Sequence, residues 1–320
     1  MREGNFGTIL VTGGTGWLGS FARRQVLPAV ISSIGPQVAF NRHYRVTYDL
    51  SKQLIAAARK HPSVQALVYT STAEAVILKH EHNARPVRED ELPLYSLQCG
   101  PNAYSCTKAA IDALVHATNT LEALNNATGI FEDQLLTAVL RQTGHYGPRD
   151  HVTMGAMLNL VNTSATQFQI GPNKLVHDCP AHVLAAKTLL HPGSSRADGQ
   201  EFFISDGKPM RFWDYAHTLW AEAGDANWAP AGPHKVIQIS FWPVLFVAGC
   251  FEWAFWICTF GLVRPGANRM AYQFMKTRCW FDIGEARRVL GYEPMFGTEE
   301  GLRRTVMWFK ENEGWDKKMQ

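Results

Sequence analysis

The sequence predicts an α/β fold built on a parallel sheet. An apolar run at residues 8–11 feeds directly into the glycine-rich stretch TGGTGWLGS, residues 12–20. Further along, apolar runs of strand length alternate with segments of helical periodicity, the pattern of strands joined by crossover helices. The 320 residues are 46% hydrophobic and 18% charged, enough apolar chain for one large core or two small ones.

Each element follows in order. Residues 17–27 read as a short helix stopped by Pro28, and 29–34 as a short apolar run closed by Gly35 and Pro36. Residues 44–60 read as a helix with Leu50, Leu54, Ile55 and Ala58 on one face. SVQALVYT, residues 63–70, is a buried strand, 103–124 a long helix, and QLLTAVL, residues 134–140, another strand. The division expected is a nucleotide-binding domain over residues 1–160 and a substrate lobe over 161–320.

Composition excludes several functions. A net charge of +3 with Lys and Arg scattered along the chain gives no basic stripe with interleaved aromatics, so nucleic acid is not an expected partner. The six cysteines form no C-x-x-C pair, and the chain opens without a charged and then apolar leader pattern, so a reducing, cytosol-facing location is expected. The histidines lack metal-ligand spacing, His80 and His82 in their polar stretch included.

Residues 241–263 stand apart. They are apolar except for Glu252 and Thr259 and include Trp242, Trp253 and Trp256. The length matches a bilayer span. Glu252 at the midpoint, with Pro243 and Gly249 in the first half, instead favours a helix lying at a membrane surface or lidding an apolar pocket. An ordinary core helix and a true span are the alternatives.

Chemistry gathers at three places. In the glycine loop, Gly13 permits a tight turn, Gly16 lets backbone approach a pyrophosphate, and Gly19 lets the following helix pack on the sheet, with Trp17 and Leu18 between them. Tyr104 and Lys108 lie one helical turn apart, so an ammonium stands near a phenol that must lose its proton to act as a base. Ser71 and Thr72 end the inner strand at the edge where open α/β sheets bind ligands, and either hydroxyl could hold a substrate oxygen against Tyr104.

In this order the three places resemble the extended short-chain dehydrogenase/reductases, and among them the 3β-hydroxysteroid dehydrogenase/isomerase family with its decarboxylating sterol-4α-carboxylate 3-dehydrogenases. The likeness includes LRQTGHYGPRD (140–150), GQEFFISDGKPMRFWDYAHTLW (199–220) and FDIGEARRVLGYEP (281–294). The resemblance implies a Rossmann-type domain binding NAD or NADP, with Gly13, Gly16, Trp17, Leu18, Gly19 and Lys108 as cofactor residues. It implies Tyr104 as base, Lys108 lowering its pKa, and Thr72 or Ser71 orienting the substrate oxygen. A small lipophilic substrate (a sterol, steroid or triterpenoid), a membrane surface at the endoplasmic reticulum and a homodimer come with it. A nucleotide-sugar epimerase shares the triad, but its polar substrate fits poorly beside the tryptophan-rich segment.

The chain also departs from that pattern. No Asp or Glu occurs between Gly4 and Tyr48, where the acidic residue for the adenosine ribose is expected. Residues 29–36 resemble the family's fourth strand, so the second and third strands with their helices are missing, and a truncated sheet is expected. A contraction near residues 176–185 is a further departure, and Gln142 stands where the family has proline. A catalytically impaired, membrane-associated remnant of such an enzyme is the alternative reading.

Overall fold

The computed structural model describes residues 44–61, 64, 66–77, 85–119, 135–144, 146–151, 153–173, 176–177, 197–259, 280–294 and 296–315. The expectations for residues 8–43 lie outside this set: the first strand, Gly13, Gly16, Trp17, Leu18, Gly19 and the truncation of the sheet.

A π-helical turn, Tyr44–Asp49, runs into helix α1, Leu50–Lys60. Its buried residues are Ser51, Ile55 and Ala58, with Leu54 packed partly against the core. Leu50, expected on the same face, is 54% exposed. At about 100° per residue, a stripe centred on 51, 55 and 58 leaves position 50 at its edge.

Strand β1 is Ala66–Thr72, helix α2 Ala103–Thr118 and strand β2 Leu136–Gln142. Both strands sit two or three residues later than the sequence places them. Short helix α3 is Met154–Leu158, followed by strand β3, Phe168–Ile170, and the two-residue strand β4, Val176–His177. Strand β5 is Gln200–Ile204, β6 Met210–Arg211, helix α4 Phe212–Ala223 and strand β7 Ile237–Ile239. Helix α5 is Phe241–Thr259, α6 Gly284–Leu290 and α7 Thr298–Glu313.

β1, β2 and β5 form a parallel sheet in that order. Because side chains alternate along a strand, each face gathers its own core. Leu67, Tyr69 and Val139 pack with Ile55 of α1 and with Ile111 and Val115 of α2. Val68, Ala138, Leu140, Phe202 and Ile204 pack on the other face with Ile283, Ala286, Val289 and Leu290. A separate core joins α3, α4 and α7 through Met154, Leu158, Trp213, Leu219, Trp220, Leu302, Val306 and Phe309. β3 pairs with β7 and β4 with β6 beside it.

α5 differs from every other helix. It is apolar on all sides, yet Trp242 is 75%, Phe246 61% and Trp253 62% exposed. Among the described residues it is the one helix long and apolar enough to cross a membrane. A core helix is thereby excluded, since only Ala248 and Gly249 of this helix are buried.

Candidate active site

The site forms where α2 begins over the carboxyl ends of β1 and β2. Asn102 caps α2, its side chain accepting a hydrogen bond from the Ser105 backbone N–H at 2.8 Å. This cap satisfies an otherwise orphan donor and fixes the first turn, which carries Tyr104. One turn on, Lys108 is buried, and its Nζ donates to the Thr70 carbonyl at 2.6 Å. The ammonium lies 5.1 Å from the Tyr69 ring centroid and 5.9 Å from that of Tyr104.

Thr72, the last residue of β1, hydrogen-bonds Tyr104, and its Oγ1 accepts from the Glu74 backbone N–H at 3.2 Å. Of the two adjacent hydroxyls only this one engages the tyrosine. Ser71 Oγ is buried and has no hydrogen-bond partner among the described residues. Its neighbour in the ladder is Arg141.

Burial, and secondarily the nearby Glu74 carboxylate, push the Tyr104 phenol well above its ordinary pKa, while the Thr72 hydrogen bond pulls it down. Burial raises Glu74 itself. Lys108 is pushed down to about 7 by burial, opposed by Asp112. The protein's own groups therefore do not produce the depressed tyrosine pKa expected from spacing, because the lysine that would favour the phenolate is itself costly to charge.

Asp112, a further turn along α2, makes a two-pronged pair with Arg141 of β2: Nε donates to Oδ2 at 2.9 Å and Nη2 to Oδ1 at 3.0 Å. Both are almost fully buried. Glu201 of β5 lies 3.6 Å from Arg141 and 3.3 Å from His116. Glu89 accepts from the Phe203 N–H at 2.6 Å, and burial lifts its carboxyl to about 7. This buried network ties α2 to β2 and β5 behind the turn that carries Tyr104, and removing one member of such a pair costs about 3–5 kcal/mol. Asp112 continues the Tyr104 and Lys108 spacing and was legible in principle. Arg141, within the LRQTGHYGPRD run, is a strut, and Asp150 of the same run accepts from the Thr153 N–H at 3.0 Å at the start of α3.

Gln142 ends β2 directly opposite Thr72 in the ladder. It is buried, and both Oε1 and Nε2 lack hydrogen-bond partners among the described residues. Buried polar atoms are ordinarily paired. A buried lysine with these orphan donor and acceptor atoms at the carboxyl edge of a parallel sheet fits the nicotinamide half of a dinucleotide. No group of three His, Cys, Asp or Glu among the described residues could hold a metal ion.

The profile of the 3-beta hydroxysteroid dehydrogenase/isomerase family matches residues 25–230. The chain is 31% identical over 271 residues to the decarboxylating sterol-4-alpha-carboxylate 3-dehydrogenase of Gibberella zeae, covering 81% of this chain and 83% of that protein. To the Schizosaccharomyces pombe protein of the same description it is 32% identical over 292 residues, covering 87% and 76%. Among solved structures, RMD of Pseudomonas aeruginosa complexed with NADPH superposes with a TM-score of 0.62 at 13% identity, over 95% of this chain and 99% of that one. That last likeness establishes the Rossmann-type fold.

Proposed function

Because the chain belongs to the 3-beta hydroxysteroid dehydrogenase/isomerase family, we propose that Tyr104, Thr72 and Lys108 carry out its reaction. That reaction is NAD(P)-dependent oxidation of a 3β-hydroxysterol, or a related steroid or triterpenoid, to the 3-ketone. The observation that carries the assignment is the Thr72 to Tyr104 hydrogen bond beside the buried Lys108.

Tyr104 as phenolate takes the proton of the 3-hydroxyl. Thr72, whose oxygen already accepts from Glu74 N–H, turns its own hydrogen toward the tyrosine or the substrate oxygen. Lys108, which burial makes costly to charge, donates to the Thr70 carbonyl; in its charged form it favours the phenolate and holds a ribose hydroxyl. When bound, the nicotinamide supplies the hydride acceptor. Residues 1–160 hold the cofactor, with Gly13, Gly16, Trp17, Leu18 and Gly19 at its phosphates, and residues 161–320 hold the substrate. If the substrate bears a 4-carboxylate, the new 3-ketone accepts the electron pair as the C4–carboxylate bond breaks and CO2 leaves.

The exposed apolar surface of α5 supports attachment to a membrane, at the cytosolic face of the endoplasmic reticulum where a sterol substrate is dissolved; a homodimer belongs to the same reading. Tyr104→Phe should lower kcat on a 3β-hydroxysterol by about 10²-fold or more with an unchanged melting temperature. Wild-type turnover in this variant would remove Tyr104 from the mechanism.

A further inference from the structure

We infer that Cys99 and Cys106 are a thiol pair that closes to a disulfide across the entry to α2, a covalent modification site next to Tyr104. Cys106 lies in the first turns of α2, two residues after Tyr104, and is 4% exposed. Its sulfur packs against the incoming chain: a Cβ on Gly100 would sit 2.5 Å from Cys106 Sγ and 3.3 Å from Tyr95 Cβ. Gly100 therefore brings its backbone onto the sulfur where a side chain would collide with it. With consecutive Cα atoms about 3.8 Å apart, the Cys99 Cα is at most about 8 Å from that sulfur. A disulfide holds its two Cα atoms about 4.4–6.8 Å apart, so a small inward movement of Cys99 completes the pair.

Exposure sets the order of steps. Cys99 is exposed, and its backbone is held within one short turn. Its N–H donates to the Ser96 carbonyl at 3.3 Å and to Ser96 Oγ at 3.1 Å, and its carbonyl accepts from the Ser96 N–H at 3.2 Å. The turn can move as a unit without breaking these bonds. Burial, and after it the nearby Cys99, hold the Cys106 thiol above its ordinary pKa, and burial also closes it to an outside oxidant. A small-molecule disulfide such as that of glutathione therefore meets Cys99 first. The Cys99 thiolate attacks one of its sulfurs, forming a mixed disulfide and releasing one glutathione thiolate. Cys106, its proton passing to solvent, then attacks the Cys99 sulfur, and the second glutathione leaves as a thiolate. Two protein thiols are oxidised and one disulfide is reduced to two thiols. In a reducing compartment such a bond is transient, as in redox sensors. The ring it closes contains Tyr104 and Asn102, whose side chain caps α2 at the Ser105 N–H, so the bridge bears on the turn that presents the tyrosine.

The bridge is read without any turnover measurement, so it stands or falls separately from the proposed activity. The full chain is equilibrated in glutathione buffers from fully reduced to fully oxidised, free thiols are blocked with iodoacetamide in denaturant, and the protein is digested with trypsin. Both cysteines fall in one peptide, residues 89–108, with no Lys or Arg before Lys108. In oxidising buffer this peptide is expected unalkylated and two hydrogens lighter, and doubly alkylated after reduction. Cys106→Ser should leave Cys99 as a mixed disulfide with glutathione, and Cys99→Ser should leave Cys106 unmodified; Cys106→Ala replaces the serine variant if that folds poorly. Turnover of a 3β-hydroxysterol, which rests on the site proposed above, should fall about tenfold or more in the bridged protein, the scale of a small displacement at a reacting group. Cys99→Ser should escape that loss. Unchanged turnover with the bridge closed would overturn its link to Tyr104. Two alkylated cysteines in oxidised glutathione, or glutathione retained on Cys99 of the wild type, would overturn the pair itself.

Discussion

At the scale of single residues, the site couples function to a stability penalty at Lys108. The lysine's pKa falls from 10.5 to about 7 through burial. Between those values the unfolded chain holds more protons than the folded one, so stability rises with pH across this window, and below about pH 7 the full penalty applies. Lys108→Met should therefore abolish turnover and yet melt above the wild type near pH 6, with the difference shrinking toward pH 10. Thermal unfolding at several pH values reads this directly, and a variant less stable than wild type near pH 6 contradicts it. The same residue marks what the sequence discloses at this scale. Tyr104 and Lys108 stand out by their four-residue spacing only when read with the glycine loop and the strand-end hydroxyls, in the order the family resemblance gives them. The choice between Ser71 and Thr72 is not legible, because adjacent strand residues differ only in the face they take. Glu74 escaped notice, and Gln142 was noted only as standing where the family has proline, for another reason: an acid in a turn and an amide at a strand end become informative only once their burial is known.

Elements were legible to the extent that local pattern determines them. β1, β2 and α2 follow from apolar runs and helical period, while the strand boundaries shifted because the ladder, not propensity, decides where pairing stops. The Asp112 to Arg141 pair joins positions 29 apart in sequence, a separation over which no local pattern carries information. α5 was visible as a greasy segment, and the structure adds its topology. The chain enters from β7, which pairs with β3, and returns at Phe281, whose ring stacks on Phe203 at 4.3 Å. Both flanks are thus anchored in one body. A single crossing would separate them, and residues 260–279 include Arg264, Arg269, Lys276 and Arg278, too charged for an apolar return span. On the proposed reading of a membrane-attached protein, the helix is then embedded from one side. Tags at the carboxyl terminus and after Lys60 should both be digested when protease is added to intact microsomes, and protection of either alone would mean a span. Trp253→Ser with Trp256→Ser should move the protein into the soluble fraction, since attachment rests on buried apolar area.

At the scale of the molecule, the parts form a graded arrangement. A buried network of Asp112, Arg141 and Glu201 lies behind the turn that carries Tyr104, and a tryptophan-rich core joins α3, α4 and α7. The bare apolar helix follows β7, which pairs with β3. What the sequence left open here was which apolar segments serve as interior and which as exterior, since a tryptophan in either role looks the same along the chain. The exposure of α5 also bears on how rates should be measured. If α5 fastens the enzyme to a lipid sheet as proposed, it meets its sterol by lateral diffusion in two dimensions, and the governing quantity is the mole fraction of sterol in the bilayer. Diluting a fixed amount of sterol with inert phospholipid, at constant volume and constant bound enzyme, should slow turnover in proportion. Adding buffer to the same vesicles should leave the turnover of each bound molecule unchanged.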